Sequence, residues 1–124
     1  MTAPRYAILL HREPCGDHWD LLLEQDEALA TWRLLRNPLG PSGPIPAERL
    51  PDHRKLYLTY EGPVSQDRGH VTRVDEGTYA LLAADPRCWR VRLAGTVLAG
   101  DFTLQADDDE GRGWTFARCT AAPP

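Results

Sequence analysis

The chain has 124 residues, 42% of them hydrophobic and 26% charged, which leaves room for one domain of ordinary globular composition. Its net charge of −4 argues against tight, sequence-blind binding along a long duplex. Apolar runs fall far short of a membrane span and no basic-then-apolar leader opens the chain. A soluble, cytoplasmic protein, taken as a monomer, is therefore expected.

The 11 prolines and 10 glycines favour short strands and many turns over long helices. Residues 5–11 (RYAILLH) read as a buried first strand that ends at a histidine. Residues 21–35 fit two templates. Leu21, Leu22, Ala28, Leu29, Trp32 and Leu35 make a helical stripe, whereas the proline-rich, strand-dominated surroundings favour two strands joined at Gln25-Asp26-Glu27. The hairpin is adopted. Residues 37–46 (NPLGPSGPIP) hold four prolines and two glycines and read as a loop.

Residues 55–60 read as a strand, and residues 70–75 and 78–82 as two strands separated by a Glu76-Gly77 turn. Trp89, Val91 and Leu93 alternate with Arg90 and Arg92, the clearest two-residue period in the chain. Phe102 with Leu104, and Trp114 with Phe116, predict two more strands joined by an acidic turn (DDDEGRG). Cys15, Cys88 and Cys119 show no paired short spacing, so they read as reduced thiols rather than a disulfide framework or a zinc knuckle.

In the hairpin, alternation puts His18, Asp20, Leu22 and Glu24 on one face and Trp19, Leu21 and Leu23 on the other. His11 joins the first group if the first two strands pair antiparallel. Two imidazoles and a carboxylate make a three-point site with positions left for water or substrate, which suits manganese, iron or zinc. The spacing alone is equally that of a hydrogen-bonded surface cluster. A second group follows the loop. His53 and the Tyr57 hydroxyl can bond phosphate oxygens, with Arg49, Arg54 or Lys55 adding charge. All but Lys55 of the 14 basic residues are arginine, the better bidentate partner for phosphate, although a GC-rich genome explains the same bias.

His11 followed by His18-Trp19-Asp20-Leu21-Leu22-Leu23-Glu24 resembles the H…HYDLRLE signature of the DNA ligase D phosphoesterase family. Trp32 resembles the tryptophan that follows in that family. Asp52-His53, with Tyr57 and then Tyr60-Glu61-Gly62, resembles its DHPLxY…EG segment. VTRVDEG at residues 71–77 and the stretch Gly95…Leu98…Gly100…Leu104 are similar to its later strands.

The resemblance implies a single compact β-barrel domain over residues 1–124. Roughly six to eight mainly antiparallel strands, with short loops or helical turns, would build it. It also implies a manganese-dependent phosphoesterase, with Zn2+ or Co2+ as other divalent candidates. That enzyme trims a terminal ribonucleotide and a 3′-phosphate from DNA ends during end joining. By position, His11, His18 and Asp20 become metal ligands, and His53 and Tyr57 contact the scissile phosphate. Its partners would be DNA 3′ ends and, in trans, a ligase or polymerase of end joining.

Two departures stand out. Leu22 occupies the place of a phosphate-contacting arginine, and the gap between His11 and His18 is one residue longer, through Pro14-Cys15-Gly16. Arg54 or Arg49, and third Arg68, are the candidates to replace that charge. Asp17 or Asp52 would fix an imidazole tautomer. The main rival is a catalytically impaired metal- and DNA-end-binding module. A cupin-type non-haem iron oxygenase, using His18, Asp20 and His53 or His70, is a minor one. A structural adaptor without metal is the last.

Overall fold

The computed structural model describes residues 3–40, 43–65 and 67–119. Among them are nine strands: β1 (Arg5–Glu13), β2 (Gly16–Glu24), β3 (Leu29–Leu34), β4 (Ile45–His53), β5 (Gly62–Pro63), β6 (His70–Asp85), β7 (Cys88–Gly95), β8 (Ala99–Ala106) and β9 (Trp114–Arg118). All pairings are antiparallel, in the order β1-β2-β3-β4-β9-β8-β7-β6-β5. β1 also pairs with β6, which closes the sheet into a ring. Closure removes the exposed edges that an open sheet of this length would present. The β-rich, antiparallel architecture expected from sequence is what the chain adopts. No helix is long and apolar enough to cross a membrane among the described residues.

Alternation divides the buried residues between two sides of the sheet. Inward-facing Ile8, Leu21, Trp32, Val91, Leu104 and Phe116 belong to the main core. Trp32 is its centre, edge-on to Trp89 and Trp114 at 5.1 and 5.7 Å between ring centroids. The opposite face of β1 and β2 carries a second, smaller core of Ala7, Leu9, Leu22, Leu29, Val71 and Leu58. This outer core exists because the segment after β4 folds back over the sheet.

The segment at residues 55–60 is where the structure departs most from expectation. Lys55–Leu58 is a 3-10 turn, not a strand. Local bonds from the Tyr57 and Tyr60 amides to the Arg54 and Leu56 carbonyls, at 3.0 and 3.1 Å, replace ladder bonds. Leu58 is driven into the outer core, and Tyr57 and Tyr60 pack beside it. The apolar spacing that read as a strand is that of one tight turn seated on a sheet.

Two further corrections concern strands. β6 is one continuous strand across Glu76-Gly77. Gly77 pairs with Tyr6 on one side and Gly95 on the other, where β6 passes from β1 to β7. A side chain at Gly77 would run into the Ala94 backbone, so the glycine serves close approach rather than a turn. β4 was not anticipated, and it begins at Ile45, inside the expected 37–46 loop. Its prolines disguise it. Pro46 stands next to the strand start, and Pro51 lies where the register with β3 slips, so neither needs a regular ladder donor. Residues 41–42 of that loop lie outside the described residues.

Candidate metal centre

The first two strands are joined by a tight turn, and their register sets His11 directly opposite His18 and Leu9 opposite Asp20. His11, His18 and Asp20 all project from the outer face, above the smaller core. Their ligand atoms lie within 4.8 Å of one another. The extended reading of β2, paired with β1, is therefore what brings the three residues together; a helix would have separated His18 from Asp20.

The donor set has the character of an incomplete coordination shell. His11 Nε2 donates to the Arg68 carbonyl at 2.6 Å, which turns the Nδ1 lone pair toward Asp20 Oδ2 at 3.7 Å. His18 Nε2 lies 3.3 Å from Asp20 Oδ1, and both atoms are buried without a hydrogen-bond partner. Buried polar atoms are rarely left in that state. A cation at the point where these atoms converge satisfies all three side chains, and the residues fit a divalent metal.

The neighbouring groups match that role. A backbone carbonyl holds the remote nitrogen of His11, as partners of metal-ligating imidazoles commonly do. Gly69 allows this: it has φ +89°, and a side chain there would collide with the Arg12 carbonyl, so only glycine lets this segment lie on β1. Glu13 faces both imidazoles, at 3.6 Å from His11 Nε2 and 3.6 Å from His18 Nδ1. The carboxylate beside the histidines is thus Glu13, whereas Asp17 is exposed and Asp52 pairs with Arg49 at 3.7 Å. Glu13 was legible in the sequence, two residues beyond His11 and so on the same strand face.

The electrostatics couple the pair. Burial pushes the Asp20 carboxyl upward, but the imidazoles of His11 and His18 beside it outweigh that effect and hold the group at about 2. His11 is raised above its ordinary value, chiefly by the neighbouring Asp20 carboxylate, against the opposing effect of burial. A raised imidazole stabilises the metal-free protein fully below about pH 6.5, and that contribution fades as pH climbs through the raised value. A divalent metal held by His11 would have to displace this proton, so its apparent affinity would be expected to fall about tenfold per pH unit below the raised pKa of His11. Calorimetric titrations between pH 5.5 and 8.5 check this; a flat affinity would mean that no proton is displaced.

A pocket of about 540 Å3 opens on the centre, lined among others by His11, Asp20, Arg33, His53, Arg54 and Tyr57. His53 and Tyr57 meet edge-on with ring centroids 5.9 Å apart, across the end of β4 and the 3-10 turn. His53 Nδ1 donates to the Pro51 carbonyl at 3.1 Å, leaving Nε2 as the ring's free nitrogen. The predicted pair is thus brought together, though by a 3-10 turn rather than by the strand expected over residues 55–60.

The cations are sorted differently from expectation. Arg54 lines the pocket, with its guanidinium 6.0 Å above the Tyr57 ring. Arg49 is opposite Trp32 in the ladder and stacks over that ring at 4.2 Å, on the inward face and away from His53. Lys55 turns to Glu24 at 3.3 Å. Arg68 contributes its carbonyl to His11, while its guanidinium bonds Ser65. Arg33, which sequence reasoning passed over, lies on the pocket side directly opposite Asp20. His70 sits exposed at the start of β6, and the second imidazole of the cluster is His11. An oxygenase triad that leaves His11 unused does not describe this group.

A ring-closed β-sheet bearing a His-His-Asp cluster and an adjoining His-Tyr-Arg pocket defines a protein that could hold a metal beside an oxyanion. Residues 10–106 match the family model described as the DNA Ligase D 3'-phosphoesterase domain, and the chain belongs to that family. No curated protein matches it. Family membership supports a 3′-phosphoesterase-type role in DNA repair.

Proposed function

We propose that the protein is a divalent-metal-dependent phosphoesterase that acts on 3′-phosphate or 3′-ribonucleotide ends of DNA, with Mn2+ as its metal. The observation that carries this reading is the convergence of His11, His18 and Asp20, with His11 and Asp20 lining one pocket together with His53 and Tyr57. His11, His18 and Asp20 would hold the metal, which supplies a Lewis acid for a phosphate oxygen when bound. Asp20 stays ionised for this purpose across the physiological range because its carboxyl is held so low.

The chain's own residues account for the remaining chemistry. His53, with Nδ1 fixed on the Pro51 carbonyl, presents Nε2 to the pocket. From there it holds the phosphoryl group and, as imidazolium, gives its proton to the leaving oxygen while a water attacks phosphorus and forms the P–O bond that replaces the one broken. The Tyr57 hydroxyl orients the phosphate, and Arg54 adds charge at the rim. The net negative charge of the chain suits recognition of one terminus better than tracking along a duplex. Its partners would then be DNA 3′ ends and, in trans, an end-joining ligase or polymerase in the cytoplasm.

The test is a Mn2+ titration with a 3′-phosphate-ended primer-template. The wild type is expected to release inorganic phosphate only with metal, and His18→Ala to release none. A second reading has one observation in its favour: Leu22 is fully buried where the family signature carries an arginine. Under it, the wild type binds metal and the 3′-phosphate end without turnover.

A further inference from the structure

We propose that Arg33 is the phosphate-binding cation of this pocket, moved one strand over from the position that Leu22 occupies; the inference rests on the phosphoesterase reading above. In the β2–β3 ladder, Leu22 pairs with Thr31 and Asp20 with Arg33. Arg33 is therefore directly across from a metal-ligand candidate and diagonal to Leu22, on the same face of the sheet. Arg33 lines the pocket, whereas Leu22 does not.

Packing explains the exchange. Leu22 is completely buried in the outer core with Ala7, Leu9 and Leu58, under the 3-10 turn. A guanidinium there would sit among apolar side chains, without partners and at high cost. The register neighbour of Asp20 lies at the pocket wall instead, where an arginine can keep its stem on the sheet and its head toward the opening.

Arg33 is also incompletely partnered. Its Nε is buried and makes no hydrogen bond. Its ion pair with Glu48 spans 3.9 Å, beyond hydrogen-bond length. A buried cationic N–H without an acceptor is costly, and a phosphate oxygen is the acceptor this pocket is suited to receive. The other arginines near the site are differently engaged. Arg49 stacks on Trp32 on the inward face, Arg68 bonds Ser65, and Arg54 is exposed at the rim.

The experiment compares binding of two otherwise identical oligonucleotides, ending in 3′-phosphate or 3′-hydroxyl, by fluorescence anisotropy with Mn2+ present. Mn2+ affinity is read separately by electron paramagnetic resonance. Wild type should prefer the 3′-phosphate. Arg33→Gln is expected to reduce that preference by about tenfold or more, the worth of a charge-assisted hydrogen bond, with Mn2+ affinity and melting temperature unchanged. Arg33→Lys, which keeps the charge but loses the fork, should retain part of it and supplies the same comparison if the glutamine variant folds poorly. If wild type shows the preference and both Arg33 variants keep it in full, the Arg33 assignment is wrong while the phosphoesterase reading stands. A wild type that binds no Mn2+, or treats the two ends alike, removes both.

Discussion

Asp20→Asn is expected to weaken Mn2+ binding by more than about a hundredfold, because changes to groups that only contact a metal's ligands already cost about 10–100-fold. Asp20 is the one anionic member of the cluster and the link between its imidazoles, 3.7 Å from His11 Nδ1 and 3.3 Å from His18 Nε2. The amide keeps the size of the side chain but removes its charge. Its NH2 group would face nitrogen lone pairs that otherwise converge on the cation. Thermal unfolding reads the result without any turnover. At a metal concentration one hundred times its dissociation constant, the wild type gains about 2.7 kcal/mol of stability. With affinity a hundredfold lower, the variant gains only about 0.4 kcal/mol at the same concentration. An equal response from both proteins would show that the metal sits elsewhere.

His53→Ala is expected to lower turnover of 3′-phosphate ends by about 10²–10⁴-fold, the usual worth of a positioned acid or base. Mn2+ affinity should be unaffected, since His53 lies outside the cluster of converging ligand atoms. Leaving-group dependence gives the second readout. A substrate whose leaving oxygen is already a good anion needs no proton, so the loss should shrink with an aryl phosphate. His53 also packs against Tyr57, so His53→Gln is the control that keeps bulk and polarity at that contact. A uniform loss for every leaving group, repeated by the Gln variant, would assign His53 to phosphate holding alone. No loss in either variant would exclude it from the site.

Much of the site could be read along the chain because its central part is a hairpin. Strand alternation alone places His18 and Asp20 together, and antiparallel pairing brings in His11. Trp89, Val91 and Leu93 are equally plain, since one face of β7 is core and the other is solvent. The acidic turn between β8 and β9 is where polar and glycine residues interrupt two alternating runs.

The unreadable parts share a physical cause, which is dependence on neighbours remote in sequence. β4 carries Pro46 and Pro51, and only the register with β3 and β9 shows that both are tolerated. Gly77 marks a turn by local rules, yet it keeps β6 extended because two strands press on it at once. Residues 55–58 alternate like a strand but wind tightly, with Leu58 packed into the apolar core on the outer face.

The candidate trio was thus legible along the chain, through a periodicity that any strand imposes on its side chains and the pairing of two consecutive strands. What only the folded chain decided is which charges surround it. Register across β2 and β3 brought Arg33 to Asp20, and the opposite face of the sheet took Arg49 away to Trp32. A loop anchored by Gly69 delivered the Arg68 carbonyl to His11. Such placements follow from pairing between distant segments, and no window of neighbouring residues encodes them.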